Sequence, residues 1–415
     1  MATAEPVAKI GEEEFYTLDD AFDKLVAVGG TLSILQDGIV TNGKERKISN
    51  DVIIEGNNHI VTVQYADAGM NSLFRVLQPG KLKIGNTTFS ATPHDGDNDA
   101  MFAVESNSSI EMISTTIKNI QINESSTASS AIHVSGTLIM NDCLITNCKT
   151  SAPCNTILVD GGSLWITSGE ITNCGYFGNS MGYFDAGAIS AFAPSIGGGW
   201  ASSSIKIDGT VFSDNAGSYA GAIYLYDSLG TVEIRNAVFN NNKGQYAGAL
   251  WISDSKAVLE NVQFNGNKSV YYGALLTDAC EDVSIRKGVF TENSSSRGAG
   301  IYAENSLLSL TDCTITENQA SSYGGGIFKT GASSSLIVNG TNIICNNTAR
   351  YSGADIFNYG GTAVLPSVDN MKQKYMGTIF SLDGWYNDAP GYRWENGHIR
   401  YYGDRKNISG TWALT

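Results

Sequence analysis

Two short motifs recur along this chain with one shared period, and that period limits the possible folds more than any other feature. The first is a small-residue step followed by an aliphatic residue. It appears as Gly187-Ala188-Ile189, Gly221-Ala222-Ile223, Gly248-Ala249-Leu250, Gly273-Ala274-Leu275, Ala299-Gly300-Ile301 and Gly325-Gly326-Ile327, with a looser copy at Gly353-Ala354-Asp355-Ile356. From Ile223 onward the aliphatic positions lie 27, 25, 26, 26 and 29 residues apart. The second motif, Phe/Ile-x-x-Asn, ends on Asn215, Asn242, Asn267, Asn293, Asn318 and Asn347, spaced 27, 25, 26, 25 and 29 residues. A fainter trace of the beat runs back through Ile157, Ile132, Phe102 and Phe74.

The period has a direct physical meaning. A unit of this length is too short for a strand and a helix, and no long 3.6-residue pattern intervenes. Runs such as Val232-Glu233-Ile234 and Val258-Leu259-Glu260 alternate as short strands do. Three strands and three turns per repeat fit the length, each coil bonding to the next at about 4.8 Å. The chain is therefore expected to be all-β, a single-stranded parallel β-helix of about 11–12 coils. Equivalent residues then stack in columns. Each motif Asn is expected in a left-handed turn, its amide bonded to the Asn above and below, with the Phe three residues earlier filling the interior. These residues build the fold. Cys148 and Cys174 stand at the equivalent position of two earlier coils, where they read as stacked, buried, reduced thiols.

Composition narrows the function. The net charge is −15 with no basic cluster, which argues against nucleic acid as a partner and against a polyanionic substrate. Gly contributes 46 residues and Pro 7, a balance suited to many tight corners rather than to disorder. The seven Cys, at 143, 148, 154, 174, 280, 313 and 345, form no disulfide framework by count or spacing. No apolar run is long enough to span a bilayer, so direct membrane insertion is not expected. No basic-then-apolar leader precedes the repeats, so an extracellular or surface location is not read from a leader. A monomer is expected.

The ends read differently. Residues 1–45 are assigned to an N-terminal cap, 46–365 to the β-helix, and 366–415 to an aromatic-rich C-terminal cap or small appended module. In the first, a short strand at Phe15-Tyr16 leads to Thr17, with Asp20 three residues on, a helix-start signature. Leu18, Phe22, Leu25 and Val26 make one apolar stripe that ends at Gly29-Gly30, so this short helix is expected to lid the first coil. In the last, Trp385, Trp394 and Trp412 crowd with Tyr375, Tyr386, Tyr392, Tyr401 and Tyr402.

The alternation of Gly-Gly-Ala-Ile/Leu with Phe-x-x-Asn over residues 187–356 resembles the repeat region of the chlamydial polymorphic outer-membrane proteins. More broadly it is similar to the right-handed β-helix repeats of adhesin-like proteins of gut microbes. The resemblance implies a right-handed coil and a secreted or cell-surface passenger that holds on to host cells. This chain departs from that family in showing neither a C-terminal transporter barrel nor a cell-wall anchor.

Enzymes also use β-helices, and their chemistry can be searched for. The Asn-x-Asp, Asp-Asp, Gly-His-Gly and Arg-x-Lys elements of a polygalacturonase-like site are absent, and His59, His94, His133 and His398 are scattered. A lyase needs a base beside a carboxylate, and no Lys or Arg column accompanies an Asp column. One acid pair does share a register: Asp227 and Asp254, each four residues past the aliphatic position, with Asp278 and Glu304 one position earlier in their coils. On adjacent coils Asp227 and Asp254 would lie about 5 Å apart, near the spacing of retaining glycosidases. The plainer reading is a solvated acidic edge. Asp95, Asp97 and Asp99 resemble half a calcium loop, yet Ser106 stands where an EF-hand needs Glu. A surface turn is the plainer reading there, and calcium is the one cofactor left open.

Binding has more support in the sequence. After each Gly-Ala step the residue following the aliphatic one is Tyr224, Trp251, Leu276, Tyr302, Phe328 or Phe357. Strand neighbours point to opposite faces, so this aromatic column is expected to face out. A second column, Tyr219, Tyr246, Tyr271, Arg297 and Tyr323, lies four residues before the aliphatic one. Such ladders stack on sugar rings or anchor proteins; packing on one another is the plainer alternative. Two long coils, 32 residues from Ile157 to Ile189 and 34 to Ile223, concentrate Tyr176, Phe177, Tyr183, Phe184, Phe192 and Trp200 in their insertions. Insertions project from one flank of a solenoid, so Trp200 and Tyr183 are the expected anchors, with Phe184, Tyr176, Phe177, Tyr219, Tyr246 and Trp251 around them. The function expected from this is a non-enzymatic adhesin or binding protein for a host or microbial surface glycan or protein. A carbohydrate-active enzyme with a groove along the coils, and a structural spacer, are the alternatives.

Overall fold

A computed structural model describes residues 5–42, 45–65, 72–92, 100–122, 130–150, 155–175, 186–192, 203–227, 230, 232–366, 372–376, 379–382, 392–395 and 398–401. The chain divides into two compact units, Met1–Val211 and Phe212–Thr415. Both are nearly all-β and wind as a right-handed parallel β-solenoid, with one short helix among the described residues.

In the second unit, six parallel strands stack in register: Ile223–Tyr226, Leu250–Ser253, Leu275–Asp278, Ile301–Glu304, Ile327–Thr330 and Ile356–Tyr359. Ile223, Leu250, Leu275, Ile301, Ile327 and Ile356 pair in turn along one column and are fully buried. The next face of each coil carries two strand segments rather than one, as in Lys256–Glu260 and Gln263–Asn265. A residue of positive φ, such as Asn236, Asn261, Lys287 or Asp312, bends the chain between them. A short third strand, such as Lys268–Ser269, completes the coil. Each coil therefore holds four strand segments where the period suggested three.

The glycines of the first motif have a steric cause. A Cβ on Gly221 would meet the carbonyl oxygen of Gly248 at 2.1 Å, and one on Gly273 would meet that of Gly298 at 2.2 Å. Backbone meets backbone at that corner of the coil, and only hydrogen fits.

The second motif fills the interior. Phe212, Phe239, Phe264 and Phe290 stack with centroids 5.1, 4.6 and 4.7 Å apart and planes within 10° of parallel. Beside them runs a polar ladder of Asn215, Asn242, Asn267, Asn293, Asn318 and Asn347, all buried. Asn242 Nδ2 donates to Asn267 Oδ1 at 3.0 Å and to the Phe212 carbonyl at 3.0 Å, while Asn267 Oδ1 also accepts from the Asn242 backbone N–H at 3.0 Å. The pattern repeats coil by coil until Asn347, whose Nδ2 donates to Asp355 Oδ1 at 2.8 Å. Asp355, the extra residue of the looser copy, thus stands where the next Asn would be and accepts from both the Asn347 side chain and its backbone N–H. One expectation is corrected. The ladder asparagines are not the left-handed residues; the residues before them are, including Asp214, Asn241, Gly266, Glu292, Glu317 and Asn346. The turn and the ladder are neighbouring positions with separate duties.

After Pro366 strand direction reverses. Lys372–Met376 runs antiparallel to Thr362–Pro366, and Ile379–Leu382 antiparallel to Ile356–Tyr359. Tyr392–Glu395 and His398–Tyr401 pair as a further antiparallel couple. Strands laid across open edges in this way keep them from pairing with other chains. Trp385 and Trp412 lie outside the described residues.

The first unit opens with strands Ala8–Ile10 and Glu13–Phe15 and a helix, α1, over Leu18–Val28. Thr17 caps it: its Oγ1 accepts from the Asp20 N–H at 3.1 Å and donates to the Asp20 carboxylate at 2.6 Å. Gly29, at φ 72°, ends it. Leu18, Ala21, Phe22 and Leu25 are buried beneath, while Val26 is only half-buried. The first strand of the stacked sheet, Arg46–Ile48, pairs Arg46 with Phe74, so a guanidinium occupies a core column. Arg46, 2% exposed, donates to Asp19 at 2.6 Å and Asp23 at 3.0 Å, both on α1. The cap thereby neutralises the one charge placed in that column. Five more strands follow in the same sheet, beginning at Phe74, Phe102, Ser130, Asn155 and Ile189.

Candidate functional site

The outward side of the stacked sheet in the second unit gathers the chemistry. Each strand there sends its first and third residues into the core and its second and fourth outward. The second position is the aromatic column of Tyr224, Trp251, Leu276, Tyr302, Phe328 and Phe357. It points out as expected, but it is not bare. Tyr224, Leu276, Tyr302, Phe328 and Phe357 are at most 6% exposed, and Trp251 is half-buried. The reason is that Tyr219, Tyr246 and Tyr323 of the second column, together with Tyr272 next to Tyr271, fold over the first.

Tyr219 stacks on Trp251 at 5.1 Å and leans on Tyr224 at 5.1 Å. Tyr246 lies 5.6 Å from Trp251 and 5.4 Å from Tyr219. Tyr272 covers Tyr302 at 4.2 Å, and Tyr323 covers Phe357 at 5.0 Å. Within the strand column Tyr302, Phe328 and Phe357 stack at 5.2 and 5.3 Å. The result is an apolar layer outside the coil. Tyr219, Tyr246, Trp251 and Tyr272 remain half-buried at its surface, and Tyr271 is exposed. The Trp251 indole nitrogen is buried without a hydrogen-bond partner among the described residues.

The fourth outward position carries acids. Asp278 and Glu304 are register partners on adjacent strands, which sets their backbones about 4.8 Å apart. Both are half-buried, and neither forms an ion pair among the described residues. Burial, followed by the nearby carboxylates of Glu304 and Asp254, pushes the Asp278 carboxyl up to about 6. The Tyr302 hydroxyl donates to Glu304 at 3.3 Å. Burial and the Glu304 charge raise both Tyr302 and Tyr272, so neither phenol is a ready base. Acidic hydrogen-bond acceptors thus border an aromatic surface.

Asp227 and Asp254 stand one residue further along, at φ 63° and 48°. Both occupy the left-handed corner that ends each strand, a position Asp tolerates. They line a shallow depression with Gly230, Ser255, Lys256, Ala279 and Glu281. Lys256 and Glu281 pair there at 2.9 Å, and Ser253 Oγ donates to Asp254 at 2.9 Å. One residue of offset separates this turn pair, weighted more heavily from the sequence alone, from the strand pair Asp278–Glu304. Period-two alternation was the signal that would have found it, since it sets Asp278 and Glu304 on the aromatic face. Trp200, Tyr183, Phe184, Tyr176 and Phe177, and likewise Asp95, Asp97 and Asp99, lie outside the described residues. Among the described residues no group of three His, Cys, Asp or Glu side chains is arranged to hold a metal ion, and no helix is long and apolar enough to cross a membrane.

No curated protein is matched by this chain. Among solved structures, similar coil stacks occur in a PL6 alginate lyase complexed with a trisaccharide, at 14% identity, covering 96% of this chain and 91% of the lyase, with a TM-score of 0.48. They occur also in tailspike protein 3 of bacteriophage CBA120, at 13% identity over 84% of this chain, with a TM-score of 0.41; the chain spans only 57% of the tailspike. The periplasmic alginate epimerase AlgG follows at 10% identity, covering 84% of this chain and 89% of the epimerase, with a TM-score of 0.35. Residues 200–365 match the family model described as the right-handed beta helix region, and it is to right-handed β-helices that this stretch of the chain is similar.

Proposed function

We propose that this protein is a non-enzymatic, cell-surface or extracellular binding protein that recognises a glycan through the outward side of the second unit's stacked sheet. The observation that carries the reading is one surface with two chemistries: the half-buried rings of Tyr219, Tyr246, Trp251 and Tyr272 beside the un-neutralised carboxyls of Asp278 and Glu304. Sugar rings offer apolar C–H faces to aromatic rings and hydroxyl donors to carboxylates. The rings are held by their neighbours before any ligand arrives, so little side-chain entropy is lost on binding. With acids lining the surface and a net charge of −15, a neutral or amine-bearing glycan fits better than a uronate polymer. The resemblance of the repeats to surface adhesins agrees with this placement. Probing the purified chain against an array of glycans and host surface proteins tests it. A specific sugar hit weakened at least about tenfold by Trp251→Ala supports the reading; an array blank for glycans ends it and leaves the spacer role.

One observation favours a second reading, a glycoside hydrolase. Asp278 and Glu304 are carboxyl residues in register on adjacent strands, the arrangement from which a retaining pair about 5 Å apart is built, and Asp278 keeps its proton to about pH 6, as a general acid must. Cleavage of a bound glycan that disappears in Asp278→Asn, with binding kept, would move the protein to that class.

A further inference from the structure

The asparagine ladder belongs to the second unit, and in the first unit the same corner of the coil holds sulfur. Cys148 and Cys174 each lie three residues after an interior isoleucine, Ile145 and Ile171, and those isoleucines are register partners. The register continues through the cysteines: the Gly175 N–H donates to the Cys148 carbonyl at 2.8 Å, and Lys149 bridges to Gly175. Each cysteine leaves an identical left-handed corner, at Asn147 with φ 55° and Asn173 with φ 53°. Their Cα–Cβ bonds therefore run side by side from backbones about 4.8 Å apart, within the roughly 4.4–6.8 Å over which a disulfide spans two Cα atoms. Both side chains are fully buried, neither is in a disulfide, and the two sulfurs share a hydrogen bond. Cys148 and Cys174 also donate to main-chain carbonyls, those of Thr146 and Thr172, as Cys280 and Cys313 do to those of Ile252 and Ile285; what sets the first two apart is their place in register on adjacent coils.

We infer that Cys148 and Cys174 are a cross-linking site, closed to a disulfide between adjacent coils when the chain folds in an oxidising compartment. The thiolate of one cysteine attacks a small disulfide such as oxidised glutathione and releases one reduced thiol. The second cysteine then attacks the mixed disulfide, forms the Cys148–Cys174 bond and releases the other reduced thiol. Two protein S–H bonds are oxidised, one S–S bond is reduced, and the two protons leave with the two small thiols. Because both sulfurs are buried in the finished coil, closure belongs to folding rather than to later attack. The bond would do covalently what the amide ladder does by hydrogen bonds in the second unit.

The test is to produce the full chain in a bacterial periplasm and in a reducing cytosol, block free thiols, and map peptides without reductant. The periplasmic chain is expected to yield a peptide linking Cys148 to Cys174, two mass units lighter than the free pair. It should melt several degrees higher than the cytosolic chain and lose that margin on reduction. Cys148→Ser should melt alike from both sources, which separates the bond from any effect of compartment. Finding both cysteines alkylated in a cooperatively folded periplasmic chain would overturn the inference. So would a bond from either of them to another cysteine, such as Cys154.

Discussion

The two units present the same outward strand position with opposite chemistry. In the first unit that column reads Lys47, Arg75, Ala103, His133, Leu158 and Ser190. Its charges are met locally: Arg75 pairs with Glu45 and Glu105, and His133 faces Asp160 at 3.8 Å. In the second unit the column is aromatic, and the acids beside it, Asp278 and Glu304, have no cation to pair with among the described residues. The same strand position thus carries, in one unit, cations met by acids and, in the other, acids with no cation among the described residues. Unspent hydrogen-bonding capacity beside aromatic surface is what a ligand needs, which is why the proposed binding is placed on the second unit.

The interior differs just as sharply, and mutation there should give the largest effects. Asn267→Leu removes an amide bonded to Asn293 and to the Phe239 carbonyl, and strands the donors of Asn242. A loss of about 4 kcal/mol is expected from that many buried unmade bonds. Cys174→Ala, at the equivalent corner of the first unit, should cost only about 1–2 kcal/mol in a reduced chain. Chemical denaturation measures both; equal costs would mean that the amide ladder adds nothing beyond packing.

Next in size is Lys329→Met. Lys329 is fully buried in the second unit and donates to the carbonyls of Ser334 at 3.1 Å, Gly360 at 2.6 Å and Thr362 at 3.1 Å. Leaving those three acceptors bare should lower stability by about 3 kcal/mol, read from the denaturation midpoint.

Asp278 gives a smaller effect with a distinct pH signature. Its folded pKa, about 6, stands above the ordinary 3.8, so the folded chain holds this proton more tightly than the unfolded one. Its contribution to stability therefore falls as pH rises from about 4 to 6 and stays unfavourable above that. Asp278→Asn should stabilise the chain by about 1 kcal/mol at pH 7.5, after allowance for partial solvent screening, and by nothing near pH 3.5. Thermal melts across that range decide it; a gain independent of pH would show that burial and the neighbouring acids do not raise the Asp278 carboxyl. The smallest expected change is Ala279→Gly, since Ala279 holds φ 52° at the corner where Asp227 and Asp254 stand. Relief of that conformation should raise stability by about 0.5–1 kcal/mol.

What the sequence made legible follows from periodicity. Phe239, Asn242 and Leu250 recur with the coil, so stacking, interior columns and the corner glycines could be read directly. Thr17 with Asp20 marked α1 because capping chemistry is local. The cover over Tyr224 and Tyr302 was legible only as one of two readings of the aromatic columns: alternation says which way a side chain points, whereas burial depends on Tyr219 and Tyr272 arriving from a different part of the coil. Asp254 and Asp278 differ for a related reason. The acids stand one residue apart in their coils, and the backbone, left-handed at 254 and extended at 278, makes one a turn residue and the other an outward strand residue, as counting the alternation from Leu275 also indicates.

The most direct test of the account compares the two flanks in a single binding titration of the full chain with a neutral or amine-bearing oligosaccharide taken from the array. Trp251→Ala, in the second unit, should weaken binding at least about tenfold, while Arg75→Ala and His133→Ala, in the first, leave it unchanged. Loss of binding through Arg75 or His133, or through Trp200→Ala with Trp251→Ala silent, would contradict the claim that the aromatic and acidic side of the second unit is the recognition surface.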